Sequence, residues 1–142
     1  MRYYAVFDTN VLVSSLLTHR VDTATARVVD AIPDGIIVPL YSQKIMREYD
    51  DVLRRKKFSF SETRIESLLN MIRQFGLAVD PSPTGEVLTD MDDLVFYEVV
   101  MSKREDDARL ITGNLRHFPP RDFIVTPAEM MALIESHGKS EP

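Results

Sequence analysis

Cysteine is absent from the 142 residues, which excludes disulfides and thiolate metal sites. Such a chain suits a reducing compartment. No run of 18 apolar residues occurs, so there is no candidate membrane-spanning helix. The start, MRYYAVFD, lacks the pattern of a secretory signal. The expectation is a cytoplasmic protein with no membrane association. The glycine-dependent motifs are missing too: no Walker P-loop, no dinucleotide fingerprint and no G-x-S-x-G elbow. Of the three histidines, His19, His117 and His137, no two have metal-ligand spacing. They read as surface residues, although His117 could approach a turn at Asn114. There is no internal repeat and no low-complexity block.

What is present fits one domain able to bury roughly 68–70% of its unfolded surface. The net charge of −5 argues against generic electrostatic binding to nucleic acid. The acidity is local. Residues 86–107 hold eight acids against Lys103 and Arg104, a balance of −6, while the rest of the chain sums to +1. Such a segment is either a solvated face or a metal site.

Strand and helix signals alternate. Tyr3 to Phe7 is a short apolar run of the kind buried on both faces of a sheet. Helical spacing follows from Val11 to Leu17 and from Ala24 to Ile32, and Ile36–Leu40 reads as a strand. Ser42 and Ser61 are N-cap candidates for two helices, the first running to about Arg55 and the second stopped by Gly76. Leu77–Val79, Ala108–Thr112 and Phe123–Val125 read as strands, and a helix covers Asp93 to Lys103. Thr126-Pro127-Ala128-Glu129 has the capping-box pattern and starts the last helix. The domain is expected to span 1–137, with a loose tail over 138–142. This alternation predicts a mostly parallel sheet between helices, with ligands outside the carboxyl ends of its strands.

Asp8 sits at such a strand end. Glu48 borders the apolar face made by Ile45, Tyr49 and Val52; it is either paired with an arginine or bound to a cation. Asp93 shares a face with Phe96 and Val100, leaving Asp92 or Asp90 for capping or support. The plain alternative is that all three are caps and loop acids. If Asp8, Glu48 and Asp93 meet, they repel: two charges 4 Å apart cost about 4 kcal/mol at an effective dielectric of 20. A hard cation such as Mg²⁺ or Mn²⁺ would offset this and activate bound water. Thr9 or Asn10 could then bond the Asp8 carboxylate or the substrate. The basic run Arg54-Arg55-Lys56-Lys57 lies within reach of flanking phosphates, or else is a solvated helix end.

Four stretches, "FDTNVLVSSLL", "MREYDDVLRRKKF", "DLVFYEVV" and "LITGNLRHF", together resemble the PIN-domain nucleases, and most of all the branch holding toxins of toxin–antitoxin pairs. The resemblance covers the whole chain. It implies a three-layer α/β/α fold with a central parallel sheet of about five strands. It also implies a Mg²⁺- or Mn²⁺-dependent ribonuclease, frequently a homodimer, whose RNA-cleaving site a cognate antitoxin covers. Asp8, Glu48 and Asp93 match the first three family acids, and Thr112 the polar residue of the final turn. Asn114 stands where the fourth acid is usual; as a neutral amide it departs from the pattern, and a charge count then favours a single tightly held ion. Haloacid-dehalogenase-type phosphatases also place an aspartate after the first strand, but they want another at position 10, which is Asn. A non-catalytic PIN-like module binding RNA or protein is the remaining alternative.

Overall fold

A computed structural model describes residues 2–140, with the side chains of 138–140 excepted. Five parallel strands form the sheet: β1 (Tyr3–Phe7), β2 (Ile37–Tyr41), β3 (Leu77–Ala78), β4 (Arg109–Ile111) and β5 (Ile124–Val125). Their spatial order is β3-β2-β1-β4-β5. Successive strand residues point to opposite faces. Ala5, Val6 and Phe7 are all buried, so helices cover both faces of the sheet at β1. Those helices are α1 (Thr9–Leu17), α2 (Ala24–Asp30), α3 (Gln43–Leu53), α4 (Glu62–Phe75), α5 (Leu94–Ser102) and α6 (Pro127–Ser140). The result is the expected three-layer α/β/α arrangement.

The caps read from the sequence form. Ser42 accepts from the Ile45 amide at 3.1 Å, and Ser61 from the Arg64 amide at 3.2 Å. Thr126 and Glu129 satisfy each other's backbone amides at 2.9 and 3.1 Å, a reciprocal capping box. α6 continues past Gly138 to Ser140, where the sequence led us to expect a loose tail; residues 141 and 142 lie outside those described.

Two helix ends differ from expectation. α3 stops at Leu53 rather than near Arg55. Arg54 there reaches Asp50 at 2.8 Å, Glu66 at 2.7 Å and also Glu62, stapling the corner between α3 and α4. α5 begins at Leu94, after a separate 3-10 turn over Met91–Asp93.

Gly76 ends α4 for a steric reason, since its φ of −94° is open to any residue. A Cβ there would stand 2.4 Å from the Ile72 carbonyl oxygen and 2.5 Å from that of Pro39. Both obstacles are backbone, so they cannot swing aside. Gly76→Ala is therefore expected to destabilise at the upper end of the about 1–3 kcal/mol typical of overpacking, read from urea denaturation. A loss below about 0.5 kcal/mol would show that α4 and β2 part easily.

Candidate active site

The sheet order reverses at β1. The chain proceeds from β1 through β2 to β3 on one side, then returns to place β4 and β5 on the other. A crevice forms at such a switch point, outside the carboxyl ends of the two strands. Asp8 follows β1 and Thr112 follows β4, so both lie on that crevice. Their strands are in register there: the Asp8 amide donates to the Ile111 carbonyl at 2.9 Å, and Thr112 Oγ1 donates to Asp8 Oδ2 at 2.7 Å.

Asp8 occupies the N-cap position of α1, yet its side chain makes no capping hydrogen bond. The residue is 4% exposed. Burial pushes its pKa up, and the Thr112 hydroxyl, the amides of Asn10 and Thr9 and nearby His117 offset this only in part. Thr9 does not hold that carboxylate: its hydroxyl is buried and has no hydrogen-bond partner. Asn10 is exposed, and its backbone rather than its side chain acts on Asp8.

Tyr49 positions the second acid. Its fully buried hydroxyl donates to the Phe7 carbonyl, fixing α3 against the end of β1. Glu48, the preceding residue, is thereby brought within the field of Asp8. Its pKa is raised, first by burial; Asp51, Asp92 and Asp8 add to this and Arg55 opposes. Tyr49 is itself raised well above its usual range, by burial and then by Asp8, as expected beside a buried anion.

Asp93 supplies the third carboxylate, its side chain 15% exposed. Its pKa is pushed up to about 6 by burial, then by Asp8 and Asp90, against the pull of His117. His117 Nδ1 lies 3.2 Å from Asp93 Oδ2, but off the line a hydrogen bond requires, so that oxygen is buried without a donor. Asp92 is exposed, and the capping work considered for it belongs to Asp90, whose Oδ1 accepts from the Asp92 amide at 3.0 Å. Asp90→Ala should cost on the order of 1 kcal/mol and Asp92→Ala little, as chemical denaturation would read. The reverse ranking would mean that Asp92 holds the turn.

Asn114 and His117 lie within a few residues of Thr112. The Asn114 amide N–H donates to Thr112 Oγ1 at 3.0 Å, and Asn114 Nδ2 lies 2.9 Å from His117 Nε2. His117, read from the sequence as a surface residue, thus borders the site. The available signal was its spacing, three residues after Asn114, which a 3-10 turn over Leu115–His117 brings round. Of the basic run, Arg54 is committed to three carboxylates and Arg55 lies 3.5 Å from Asp51, while Lys56 and Lys57 are exposed. Among the described residues, no three acidic or histidine side chains stand close enough to hold one ion unaided.

A sequence profile of the PIN domain matches residues 4–116, a span containing Asp8, Glu48, Asp93, Thr112 and Asn114. The chain belongs to the PIN domain family. PIN domains are generally nucleases that use divalent metal ions. Among solved structures the chain is similar to the crystal structure of VapBC2 from Rickettsia felis bound to a DNA fragment from their promoter. The identity is 15%, the match covers 86% of this chain and 96% of that one, and the TM-score is 0.53. That likeness is one of fold. No curated protein sequence matches the chain. Among the described residues, no helix is long and apolar enough to cross a membrane.

Proposed function

We propose that this PIN domain is an endoribonuclease that hydrolyses RNA phosphodiester bonds with Mg²⁺ or Mn²⁺. The observation that carries the reading is the gathering of Asp8, Glu48 and Asp93, each with a raised pKa, at the switch point of the sheet. At each of the three, burial outweighs the pull of the nearby cations, His117 on Asp8 and Asp93 and Arg55 on Glu48. The donor set fits a hard cation: every carboxylate ligand is oxygen, and Asp93 Oδ2 is buried without a hydrogen bond. Asp8, Glu48 and Asp93 would hold it, in part through its waters. Mg²⁺ commonly takes only one or two carboxylates and keeps several waters, which suits a site where no three side chains close on one point. When bound, such an ion polarises a phosphoryl oxygen and lowers the pKa of water.

The chain's own residues then do the following. Thr112 holds Asp8 by Oδ2. Glu48, half-buried and within the field of Asp8, can accept a proton from an incoming water. Arg55, Lys56 and Lys57 lie beyond Glu48, where RNA phosphates can pair with them. Neutralising these three should flatten the salt dependence of RNA binding. Arg54→Ala should instead lower stability and leave that slope unchanged; the opposite pattern would place the grip on Arg54.

In the same reading the protein is cytoplasmic, a homodimer, and the toxin of a toxin–antitoxin pair. The likeness of the quoted stretches to that branch and the fold shared with VapBC2 support this. A second reading, a non-catalytic module binding RNA or protein, draws on two observations: Asn114 in place of an acid, and the open disposition of the carboxylates. Cleavage of single-stranded RNA with Mn²⁺ or Mg²⁺, abolished by EDTA, decides between them. RNA binding without cleavage in either metal would establish the second.

A further inference from the structure

One turn touches both Asp8 and Asp93. Thr112 Oγ1 bonds Asp8 Oδ2 and itself accepts from the Asn114 amide. On the other side, Asn114 Nδ2 meets His117 Nε2 at 2.9 Å, and His117 Nδ1 meets Asp93 Oδ2 at 3.2 Å. We infer that Asn114 and His117 are positioning residues: the Asn114 amide holds the His117 ring proton on Nδ1, and that proton sets the Asp93 carboxylate opposite Asp8.

Donors and acceptors fix where the ring proton sits. Above the pH range in which the ring is charged, the imidazole carries one N–H and one bare nitrogen. If Nε2 accepts from the Asn114 NH₂, the proton stands on Nδ1 and faces an anionic oxygen, so both contacts attract. The other tautomer sets Nε2–H against the NH₂ group and a lone pair against the carboxylate, so both repel. Rotating the Asn114 amide by 180° satisfies Nε2–H but leaves the lone pair facing Asp93. An aspartate at 114, acceptor-only when ionised, would draw the proton to Nε2 and reverse the network. This accounts for an amide where the PIN resemblance leads one to expect a fourth acid. The His117 N–H also stays off-axis, so it attracts Asp93 without occupying the lone pairs of Oδ2. Ligand orientation by such outer partners tunes metal sites generally. His117 lies one residue beyond the profile match, so nothing in that match assigns it.

Only the metal-binding arm of the test rests on the nuclease reading. In the first arm, the metal-free protein carries ¹⁵N-labelled histidine, and imidazole nitrogen shifts are read where they no longer change with pH. The His117 signal is identified by its loss in His117→Gln. We expect a protonated Nδ1 and a bare Nε2 in the native chain, and a proton moved to Nε2 in Asn114→Asp. A protonated Nε2 in the native protein, or an unchanged tautomer in Asn114→Asp, overturns the inference.

The second arm is calorimetric titration with Mn²⁺. An asparagine at 117 places its side-chain nitrogen where Nδ1 was; a glutamine places it where Nε2 was. His117→Gln should weaken binding about tenfold or more, as outer-shell losses do, and His117→Asn should largely restore it. Equal affinities in the two variants also overturn the inference, because a residue that merely fills space would not distinguish them. Should the native protein bind no Mn²⁺, the metal-dependent function fails, and the tautomer still decides the role of Asn114.

Discussion

Asp8→Asn should lose RNA cleavage by orders of magnitude and yet melt at a higher temperature than the native chain when metal is removed. The two effects have one cause. Asp8 is 4% exposed, and its pKa is raised above 3.8 chiefly because burial disfavours the anion. An acid with a raised folded-state pKa binds its proton more tightly in the folded chain than in the unfolded one. Its contribution to stability is therefore greatest at low pH and falls as pH rises past 3.8. As pH rises past that range the native protein increasingly bears the cost of an anion in a poorly solvated crevice. Asparagine removes that cost and keeps an oxygen to accept from Thr112. It also removes a negative ligand, which is why activity goes. Thermal melts in EDTA at pH 7.5 and at pH 4 test the linkage. The variant's advantage should be clear at pH 7.5 and shrink toward pH 4. A variant that melts lower at pH 7.5, or one whose advantage does not change with pH, would mean that Asp8 is held for packing and not as an ion-binding charge.

Asp8 at the end of a buried strand was readable in "YAVFDTN", because a short apolar run bounded by turn residues suits a strand covered on both faces. Ser42, Ser61 and Thr126 were readable for a similarly local reason: a hydroxyl before an amphipathic run has one good use. Asp90, Asp92 and Asp93 were harder. Three acids in four positions are equally good caps by composition, and the 3-10 turn that separates their roles has no periodic signature. Asp93 faces inward as helical spacing predicts, but the cap is Asp90 and not Asp92. Arg54 resisted reading because its partners Glu62 and Glu66 come from the next helix, a tertiary contact that no spacing rule reports. His117 was hidden for the same reason: what makes it part of the site is Asp93, 24 residues earlier in the chain. The sequence names side chains; which of them share a crevice depends on the β1–β4 reversal.

Mn²⁺ should raise the melting temperature at pH 7.5 and lose that effect below about pH 5, while without metal Asp93 acts in the opposite sense. Asp93 is the group whose window can be named, since its pKa is about 6. Without metal, its raised pKa means stability is lost as pH climbs from 3.8 to about 6. A shift of that size is worth at most about 3 kcal/mol. Its side chain is only 15% exposed, so solvent screens little of it, but Asp8 and His117 share the interaction, which makes this an upper bound. Glu48 and Asp8 slope in the same direction. Surface acids paired with arginine, Asp22 and Glu62, slope in the other: their pKa values are lowered, so what they contribute is lost as pH falls. The raw curve mixes both signs, and Asp93→Asn isolates one. A metal ligand must be deprotonated, so below pH 6 each unit should weaken Mn²⁺ binding about tenfold through Asp93 alone. The stability curves with and without Mn²⁺ should therefore converge near pH 5 and diverge above pH 6, and Asp93→Asn should show little divergence at any pH. If the native protein gains as much from Mn²⁺ at pH 5 as at pH 7.5, or if Asp93→Asn gains as much as the native chain, then Asp93 is not a ligand. The ion would then rest on Asp8 and Glu48 alone.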